Sequence, residues 1–332
     1  MTALETKNSE KSIVPFLEVK SLTISYKTPD GELRAVEDVD LSVKKGEILG
    51  IVGESGCGKS TLAFSLIRML PKNARVVSGG ITLESIDVIS LRKEALRRYR
   101  WEKVSMVFQS AMNALDPVKT VESQLVETIK QHQRVSTEEA KTRSLKLLEM
   151  VRIDRSRANS YPHQLSGGMR QRVVIALALC LDPEILVADE PTTALDVVVQ
   201  ADILRTLKDL QQRLGLTVIL ISHDISIMAG MTDRMAVMYA GKIVEIGPTK
   251  RVIEKPLHPY TEALLNAVPT IGTADQKIRG IPGYPPNLSR KITGCRFSTR
   301  CAYSFEKCQK VEPPLIAIGE VAASCWLRDT QH

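Results

Sequence analysis

The stretch Gly53-Glu54-Ser55-Gly56-Cys57-Gly58-Lys59-Ser60 decides how this chain folds, because it matches the phosphate-binding pattern G-x-x-x-x-G-K-S. The apolar residues 48–52 before it predict a strand buried on both faces, and residues 60–70 after it predict a helix that ends at Pro71. Glycine permits the tight turn, and the helix N-terminus directs backbone N–H groups toward an anion. A plain glycine-rich turn is the alternative, but strand, loop and helix in this order favour a nucleotide site.

Individual residues of this phosphate loop have distinct predicted roles. Lys59 is expected to reach the β- and γ-phosphates, and the Ser60 hydroxyl is expected to bind Mg²⁺. Cys57 is expected to fill space as a small residue. The residues predicted to contact the nucleotide here are Gly53, Glu54, Ser55, Gly56, Cys57, Gly58, Lys59, Ser60 and Thr61.

The composition is that of an ordinary globular protein, with 43% hydrophobic and 25% charged residues in a chain of 332. The longest apolar run, residues 173–181, is about half of a membrane-spanning helix, which needs roughly 20 residues. Residues 1–12 are polar and include Glu5 and Glu10, so they lack the pattern of a secretory signal. The sequence therefore predicts a protein that works in the cytoplasm and does not span the membrane.

Short apolar runs alternate with helical patterns over the first 270 residues. Residues 16–26 alternate in polarity and precede the turn Pro29-Asp30-Gly31, which predicts a β-hairpin. Residues 91–100 are basic and helical in pattern, and residues 121–150 carry charges on the outer positions of a helical insertion. This alternation predicts an α/β fold with a mixed or parallel sheet. Its further predicted strands are residues 104–108, 185–188, 218–221 and 235–238.

Polar side chains follow three of these predicted strands. Asp189 and Glu190 end one strand, and the fold would bring this end of the sheet beside the phosphate loop. Asp189 is expected to hold Mg²⁺ directly or through water, and Glu190 to polarise the water that attacks the γ-phosphate. Gln109 and His223 follow two other strands. Each of them alone would be read as an ordinary surface residue.

A second glycine loop, Leu165-Ser166-Gly167-Gly168-Met169-Arg170-Gln171, completes a recognisable set of motifs. Together with the phosphate loop, Gln109, Asp189-Glu190, Ala194-Leu195-Asp196 and His223, it resembles the motif set of ABC-transporter ATPase subunits over residues 16–270. Met169 replaces the Gln of most of that superfamily, and the oligopeptide and dipeptide importer branch often carries Met there. The resemblance implies a P-loop ABC ATPase domain with a mixed-sheet core, an antiparallel β subdomain and a helical subdomain.

The resemblance also implies roles for single residues. Tyr26 matches the position whose ring stacks on adenine, although packing is the commoner role of a strand tyrosine. His223 would contact the γ-phosphate, and Gln109 would contact the metal and sense the attacking water. Asp196 would shape the seam between two ATPase domains. ATP and Mg²⁺ are the implied nucleotide and metal.

By the same resemblance, two ATPase domains meet head to tail around ATP. The second loop would offer Ser166, Gly167 and Gly168, with the helix N-terminus behind them, to the ATP held by the other domain. Hydrolysis would then open the pair, and the movement would pass to a membrane partner. Residues 109–120 would form part of the surface that receives the permease.

The composition changes near Pro269, where Pro and Gly become frequent and four of the six cysteines follow. We therefore predict residues 1–270 as the ATPase domain, with a helical insertion at about 110–165, and residues 271–332 as a small loop-rich C-terminal domain. Four thiols in such a segment suggest a metal site, but their spacing does not separate zinc from iron and sulfur. Cys180 falls on an apolar helix and is expected in the core. The four are Cys295, Cys301, Cys308 and Cys325.

The C-terminal residues resemble those of oligopeptide and dipeptide importer ATPases. The matching stretches are Gly294-Cys295-Arg296-Phe297 through Cys301, Glu312-Pro313-Pro314 with Cys325, and residues 258–265. Members with this cysteine set bind a [4Fe-4S] cluster, so the resemblance implies an iron–sulfur cluster first, zinc second and free thiols third.

These observations predict an ATP-hydrolysing subunit of an ABC importer at the cytoplasmic face of the cell membrane. Its expected partners are two membrane permease subunits, a second and related ATPase subunit in a heterodimer, and indirectly an extracytoplasmic solute-binding protein. Oligopeptides or dipeptides are the expected solute, with oligosaccharides or nickel as alternatives.

Two other classes of protein are considered. The net charge of +7 could suit an ABC ATPase that acts on nucleic acid or ribosomes, but the basic residues are scattered and aromatic residues make up only 4%. No nucleic acid partner is therefore expected. The four cysteines alone would also fit a redox-sensing or metal-binding regulator.

Overall fold

The apolar stretch before the phosphate loop forms β3 (Ile48–Val52), which lies in the middle of a mixed sheet. The computed structural model describes residues 15–29, 31–109, 114–193, 195–267, 280–290 and 292–329. Ile48 and Val52 belong to one apolar core, and Leu49 and Ile51 belong to another. Because side chains alternate across a strand, β3 is buried on both faces, as predicted.

The mixed sheet has a parallel part and an antiparallel edge. Parallel pairing joins β9 (Arg234–Tyr239), β3, β8 (Thr217–Ser222), β7 (Ile185–Asp189) and β6 (Val104–Val107), and antiparallel pairing adds three strands beyond β9. All five parallel strands occur where the apolar runs predict strands. In spatial order the described strands are β11 (Ile316–Ile318), β12 (Val321–Ala323), β10 (Lys242–Pro248), β9 (Arg234–Tyr239), β3, β8 (Thr217–Ser222), β7 (Ile185–Asp189) and β6 (Val104–Val107).

A separate antiparallel sheet packs over one face of the mixed sheet. Its hairpin consists of β1 (Leu17–Thr28) and β2 (Gly31–Val43), which confirms the predicted hairpin; Asp30 of its turn lies outside the described residues. Two strands that the sequence does not predict, β4 (Ala74–Leu83) and β5 (Ile86–Asp87), extend it beyond β1. The antiparallel β subdomain therefore covers the apolar core that lies between the two sheets.

The helix after the phosphate loop, α1 (Lys59–Leu66), is shorter than predicted. Arg68 has a left-handed backbone with φ of 56°, which ends the helix before Pro71. The predicted basic helix becomes α2 (Lys93–Arg98), and the chain then turns at Trp101, whose φ is 84°.

The predicted helical insertion is present as two capped helices, α3 (Val121–His132) and α4 (Thr137–Met150). Ser136 caps α4 by accepting from the Glu139 backbone N–H, while the Glu139 carboxylate accepts from the Ser136 N–H. Both helices bury apolar side chains in the core that contains α5 (Gly167–Ala178), the helix after the second loop. The other described helices are α6 (Val197–Leu214), α7 (Ile225–Met231), α8 (Thr249–Glu254), α9 (Pro259–Asn266) and α10 (Glu306–Lys310).

The cysteine-bearing segment is attached to the mixed sheet. β12 pairs with β10 through Glu245 opposite Ala323, and Phe297 joins the large apolar core. Within the residues that the structure describes, every helix is too short or too polar to cross a bilayer.

Candidate nucleotide site

The phosphate loop joins β3 to α1 through glycines whose conformations other residues rarely adopt. Gly53, Gly56 and Gly58 have φ of 155°, 77° and 108°. A Cβ on Gly53 would lie 2.1 Å from the Met238 carbonyl oxygen, and one on Gly58 would lie 2.3 Å from the Ala35 carbonyl oxygen. The loop is therefore pressed against the backbone of β9 and β2, and glycine is required at both points.

Lys59 turns its ammonium back into this loop. Its Nζ donates to the Gly53 carbonyl at 2.7 Å and to the Glu54 carbonyl at 2.9 Å, and the residue is 5% exposed. An ammonium held by loop carbonyls adds positive charge where the loop and the α1 N-terminus would receive phosphate.

Asp189 and Ser60 fit a Mg²⁺ ion. Asp189 is 1% exposed, and its buried Oδ1 lacks a hydrogen-bond partner among the described residues. Burial raises the pKa of this carboxyl, although a hydrogen bond with Ser60 works in the opposite direction. A hydroxyl beside a carboxylate with a free oxygen is a donor set of the kind Mg²⁺ uses with phosphates.

Gln109 and His223, which follow β6 and β8, both contact the carboxylate of Glu190, which follows β7. Gln109 Nε2 donates to Glu190 Oε2 at 2.8 Å, and His223 Nδ1 lies 3.0 Å from Glu190 Oε1. The sequence places these residues at strand ends, and the parallel register of β6, β7 and β8 brings them together. Thr193, which the sequence analysis missed, also donates to Glu190 Oε2 at 3.0 Å. The sequence feature that could have predicted this contact is the position of Thr193, three residues after Glu190.

Glu190 has a strained backbone and an ionised side chain. Its φ of 46° is left-handed, an unfavourable conformation that the neighbouring contacts maintain. Burial alone would raise the pKa of Glu190, but hydrogen bonds from His223 and Thr193 outweigh it and lower the pKa below its usual value. Glu190 is therefore an anion at neutral pH, able to accept a hydrogen bond from water.

Tyr26 lies beside the start of α1. Its hydroxyl is 3.0 Å from Thr61 Oγ1, and its side chain is half-buried on β1. The structure thus brings these two predicted nucleotide contacts together next to the phosphate loop.

The second glycine loop is held by helix-capping hydrogen bonds. Ser166 is exposed and caps α5, with its Oγ accepting from the Met169 N–H at 3.3 Å. Asp196 caps α6 in the same way, through the Val199 N–H at 2.9 Å. A Cβ on Gly168 would lie 2.5 Å from Val199 Cγ1, so the two caps are neighbours. Ala194 of the motif lies outside the described residues. Among the described residues, no hydrogen bond joins this loop to the phosphate loop.

The four C-terminal cysteines line one small cavity, together with His258, Phe297 and Trp326. None of the four cysteines forms a disulfide, and burial raises the pKa of the Cys295 thiol to about 11. Across the described ranges, no group of three or more His, Cys, Asp or Glu side chains is arranged to hold a metal ion. The four cysteines line the same cavity, but they do not form a metal-coordinating geometry. Cys180 is buried in the core, as expected.

Two residues of the C-terminal third contact the phosphate loop without having been predicted from the sequence. The Tyr260 hydroxyl accepts from the Glu54 N–H at 2.9 Å, and Arg300 pairs with the Glu54 carboxylate. Both lie in stretches that resemble importer ATPases, but no local pattern predicts their contacts with Glu54, because each contact joins residues more than 200 positions apart in the chain.

Comparisons with known proteins show the family to which this chain belongs. The ABC transporter family profile matches residues 36–193, and the profile of the oligopeptide/dipeptide transporter C-terminal region matches residues 244–308. The oligopeptide transport ATP-binding protein OppD of Escherichia coli is 42% identical over 318 residues, covering 94% of both chains. OppD of Bacillus subtilis is 41% identical over 320 residues, covering 95% of this chain and 89% of that protein.

The chain is an ABC-transporter ATP-binding subunit of the oligopeptide/dipeptide importer type. As a member of this family it hydrolyses ATP, works with membrane permeases and lies at the cytoplasmic face of the membrane. ATP and Mg²⁺ are the expected ligands of its site.

Solved structures share the fold of this ABC subunit. The dimeric ATP-binding cassette MJ0796, in a post-hydrolysis state bound to ADP and phosphate, is 32% identical, with a TM-score of 0.63. That likeness covers 70% of this chain and 98% of the cassette. CbiO1 from Clostridium perfringens, part of an ABC transporter complex, is 28% identical with a TM-score of 0.65, over 73% of this chain and 91% of that one.

Proposed function

We propose that this subunit powers the uptake of oligopeptides or dipeptides through a separate permease. The observation that carries the proposal is the meeting of Gln109, Glu190 and His223 at the sheet edge where Asp189 and Ser60 lie. The peptide solute is supported by the matching C-terminal region and by relatives whose printed names are oligopeptide transport proteins.

In this proposal the phosphate loop binds ATP. Lys59 leaves the Gly53 and Glu54 carbonyls for the β- and γ-phosphate oxygens, and the N–H groups of the loop, residues 53–61, complete the cradle. Tyr26 stacks on the adenine ring. Ser60 and Asp189 hold Mg²⁺, which when bound neutralises phosphate charge during the transfer.

Glu190 orients and polarises the water that attacks the γ-phosphorus. Its low pKa keeps it an acceptor, and the hydrogen bonds from Gln109, Thr193 and His223 fix the direction of its two oxygens. The His223 side chain is 61% exposed, so it can turn from Glu190 toward the γ-phosphate when ATP enters. Gln109 would contact the metal and sense the attacking water, and it would link both to the segment that follows it.

The second loop serves ATP on another subunit. Ser166, Gly167 and Gly168 are proposed to bind the γ-phosphate there, and Asp196 is proposed to shape the seam. Support comes from Val197 and Val198, whose exposed fractions are 80% and 79% beside Asp196 and which would be covered in a dimer. A related chain is the proposed second subunit, and a solute-binding protein delivers the peptide to the permease.

The permease is proposed to dock on the surface around residues 109–120, of which 110–113 lie outside the described residues. Val118 supports this, because it is 79% exposed on that surface. The same segment begins at Gln109, so docking and hydrolysis would be linked through one short stretch of chain.

The cysteine-bearing residues 271–332 are proposed to form a C-terminal unit that takes up a [4Fe-4S] cluster, with zinc as the second choice. Support comes from the convergence of Cys295, Cys301, Cys308 and Cys325 on one cavity. Binding would require the thiols to lose protons and move closer together. Anaerobic purification, absorbance spectra and metal analysis test this, with the Cys295→Ser/Cys301→Ser variant as the matched control. A spectrum without cluster absorbance and a preparation without bound metal would leave only free thiols.

The transport function is tested by reconstituting the subunit with its permeases and second ATPase subunit in vesicles. We expect ATP-dependent uptake of labelled peptides, and no uptake of an oligosaccharide or of nickel. The Lys59→Ala variant should remove uptake and serves as the negative control. Peptide uptake that persists with Lys59→Ala, or uptake of oligosaccharide or nickel instead of peptide, would contradict the proposal.

A further inference from the structure

The C-terminal segment reaches into the phosphate loop through one buried arginine. Arg300 Nη1 lies 2.7 Å from Glu54 Oε2, and Arg300 Nη2 lies 2.9 Å from Glu54 Oε1. The Arg300 side chain is only 3% exposed, whereas that of Glu54 is 27% exposed. Two parallel charge-assisted hydrogen bonds are the most directional pairing that a carboxylate can make.

The arginine is held firmly at its own end. Its Nε donates to the Pro282 carbonyl at 2.8 Å, and its guanidinium lies near the Tyr239 hydroxyl and 5.7 Å from the Tyr239 ring centroid. These contacts orient the Arg300 guanidinium independently of Glu54, so the arginine loses little side-chain freedom when it pairs with that carboxylate.

A second contact holds the backbone of the same loop residue. The Tyr260 hydroxyl accepts from the Glu54 N–H, and the Tyr260 ring packs against Phe297 with 5.4 Å between centroids. Phe297 and Arg300 belong to the same short stretch between Cys295 and Cys301. Both the main chain and the side chain of Glu54 are thus fastened to the C-terminal third.

We propose that Arg300 is a positioning residue for ATP, which acts by neutralising Glu54 and holding its carboxylate away from the phosphates. Glu54 places a negative charge on a loop that must accept a polyanion, and such a charge weakens phosphate binding unless a cation offsets it. The inference rests on the assignment of the phosphate loop as the ATP site. It makes the C-terminal segment part of that site.

A purely structural anchor is the competing explanation, and a double-mutant cycle separates the two. The variants are Arg300→Ala, Glu54→Gln and their combination, with exposed Arg290→Ala of the same segment as the control. Full-length proteins are compared by the dissociation constant of a fluorescent ATP analogue, by KM and kcat for ATP in the reconstituted complex, and by thermal unfolding.

Arg300→Ala should weaken ATP binding about tenfold, equivalent to about 1.4 kcal/mol, and change kcat less than about twofold. Glu54→Gln removes the carboxylate charge and keeps an acceptor for Arg300, so its ATP affinity is the reference for the combined variant. The combined variant should bind ATP nearly as well as Glu54→Gln alone, since no carboxylate is left to neutralise. Arg290→Ala should behave as the wild type.

Equal ATP affinity of Arg300→Ala and the wild type would overturn the inference, as would a combined variant that binds no better than Arg300→Ala. If Arg300→Ala does not fold, Arg300→Lys with and without Glu54→Gln replaces it, because lysine keeps the charge but loses the paired contact. Failure of the wild type to bind ATP would contradict the proposed function itself, so the two failures are distinguishable.

Discussion

The two glycine loops differ in how much of the molecule holds them. The phosphate loop touches the backbone of β9 and β2 and is tied to Arg300 and Tyr260, and its Lys59 is nearly buried. The second loop has an exposed Ser166 and one capping hydrogen bond. The first loop is thus enclosed by its own chain, and in the proposed function the second presents donors to a ligand that another chain brings.

The largest expected effect lies beside the phosphate loop, at the carboxylate that follows β7. Glu190→Gln should lower kcat for ATP on the order of 100- to 1,000-fold while ATP binding persists, because the amide is a poor acceptor for the proton of the attacking water. ATPase assays and equilibrium binding on the reconstituted complex measure this. Glu184→Gln, at the opposite end of β7, is the control and should keep wild-type kcat. Normal hydrolysis by Glu190→Gln would remove Glu190 from the mechanism.

The second prediction tests whether the second loop serves another chain. Ser166→Arg should leave the ATP affinity of the isolated subunit unchanged, and should slow hydrolysis at the partner's site on the order of 100-fold by blocking its phosphate contacts. Ser136→Arg is the matched control, because Ser136 also caps a helix. Both variants should lose about 1 kcal/mol of stability, but only Ser166→Arg should lose hydrolysis. Loss of ATP binding by the isolated Ser166→Arg subunit would contradict the division between the loops.

The third prediction compares one glycine from each loop. Gly58→Ala meets the Ala35 carbonyl at 2.3 Å in a left-handed conformation, so it should destabilise the fold by about 1–3 kcal/mol and weaken ATP binding. Gly168 does not have a left-handed backbone, and the atoms nearest to an added Cβ belong to the Val199 side chain, so Gly168→Ala should cost less than about 1.5 kcal/mol and spare ATP binding. Urea unfolding and nucleotide binding measure both. Equal costs at the two glycines would show that the second loop is as tightly enclosed as the first.

The smallest expected effect concerns adenine. Tyr26→Ala should weaken ATP binding about fivefold through lost stacking, and Tyr26→Phe should bind ATP as the wild type does. The phenylalanine variant controls for the hydrogen bond to Thr61. A titration with ATP and with inorganic triphosphate measures this, because only ATP should respond to the loss of the ring. A similar loss for triphosphate would assign Tyr26 to packing.

Local patterns predicted the elements whose burial is visible in short stretches. β3 occupies the predicted residues 48–52, and β7, β8 and β9 each extend the predicted strands by one or two residues. By contrast β4 was missed, because Arg75, Ser78 and two glycines interrupt its alternation, and it is defined by pairing with β1 instead.

The candidate site was predictable as a set of residues but only partly as an arrangement. The ends of parallel strands meet at one edge of a sheet, so the meeting of Gln109, Glu190 and His223 follows from the strand order. The left-handed backbone of Glu190 depends on packing that no local pattern shows, whereas its bond with Thr193 had a sequence signal in the spacing of three residues.

The sequence by itself determined the nucleotide chemistry, because phosphate binding needs particular glycines, a lysine and a hydroxyl at close spacing, and these are contiguous in the chain. Only the tertiary structure decided that β12 and β11 extend the ATPase sheet beyond β10 and that Arg300 pairs with Glu54 across 246 residues. Such contacts depend on how distant segments pack, and neither partner carries a local signal of the other. Eight adjacent residues thus specify the phosphate loop, whereas the contacts that hold it in place depend on the whole fold.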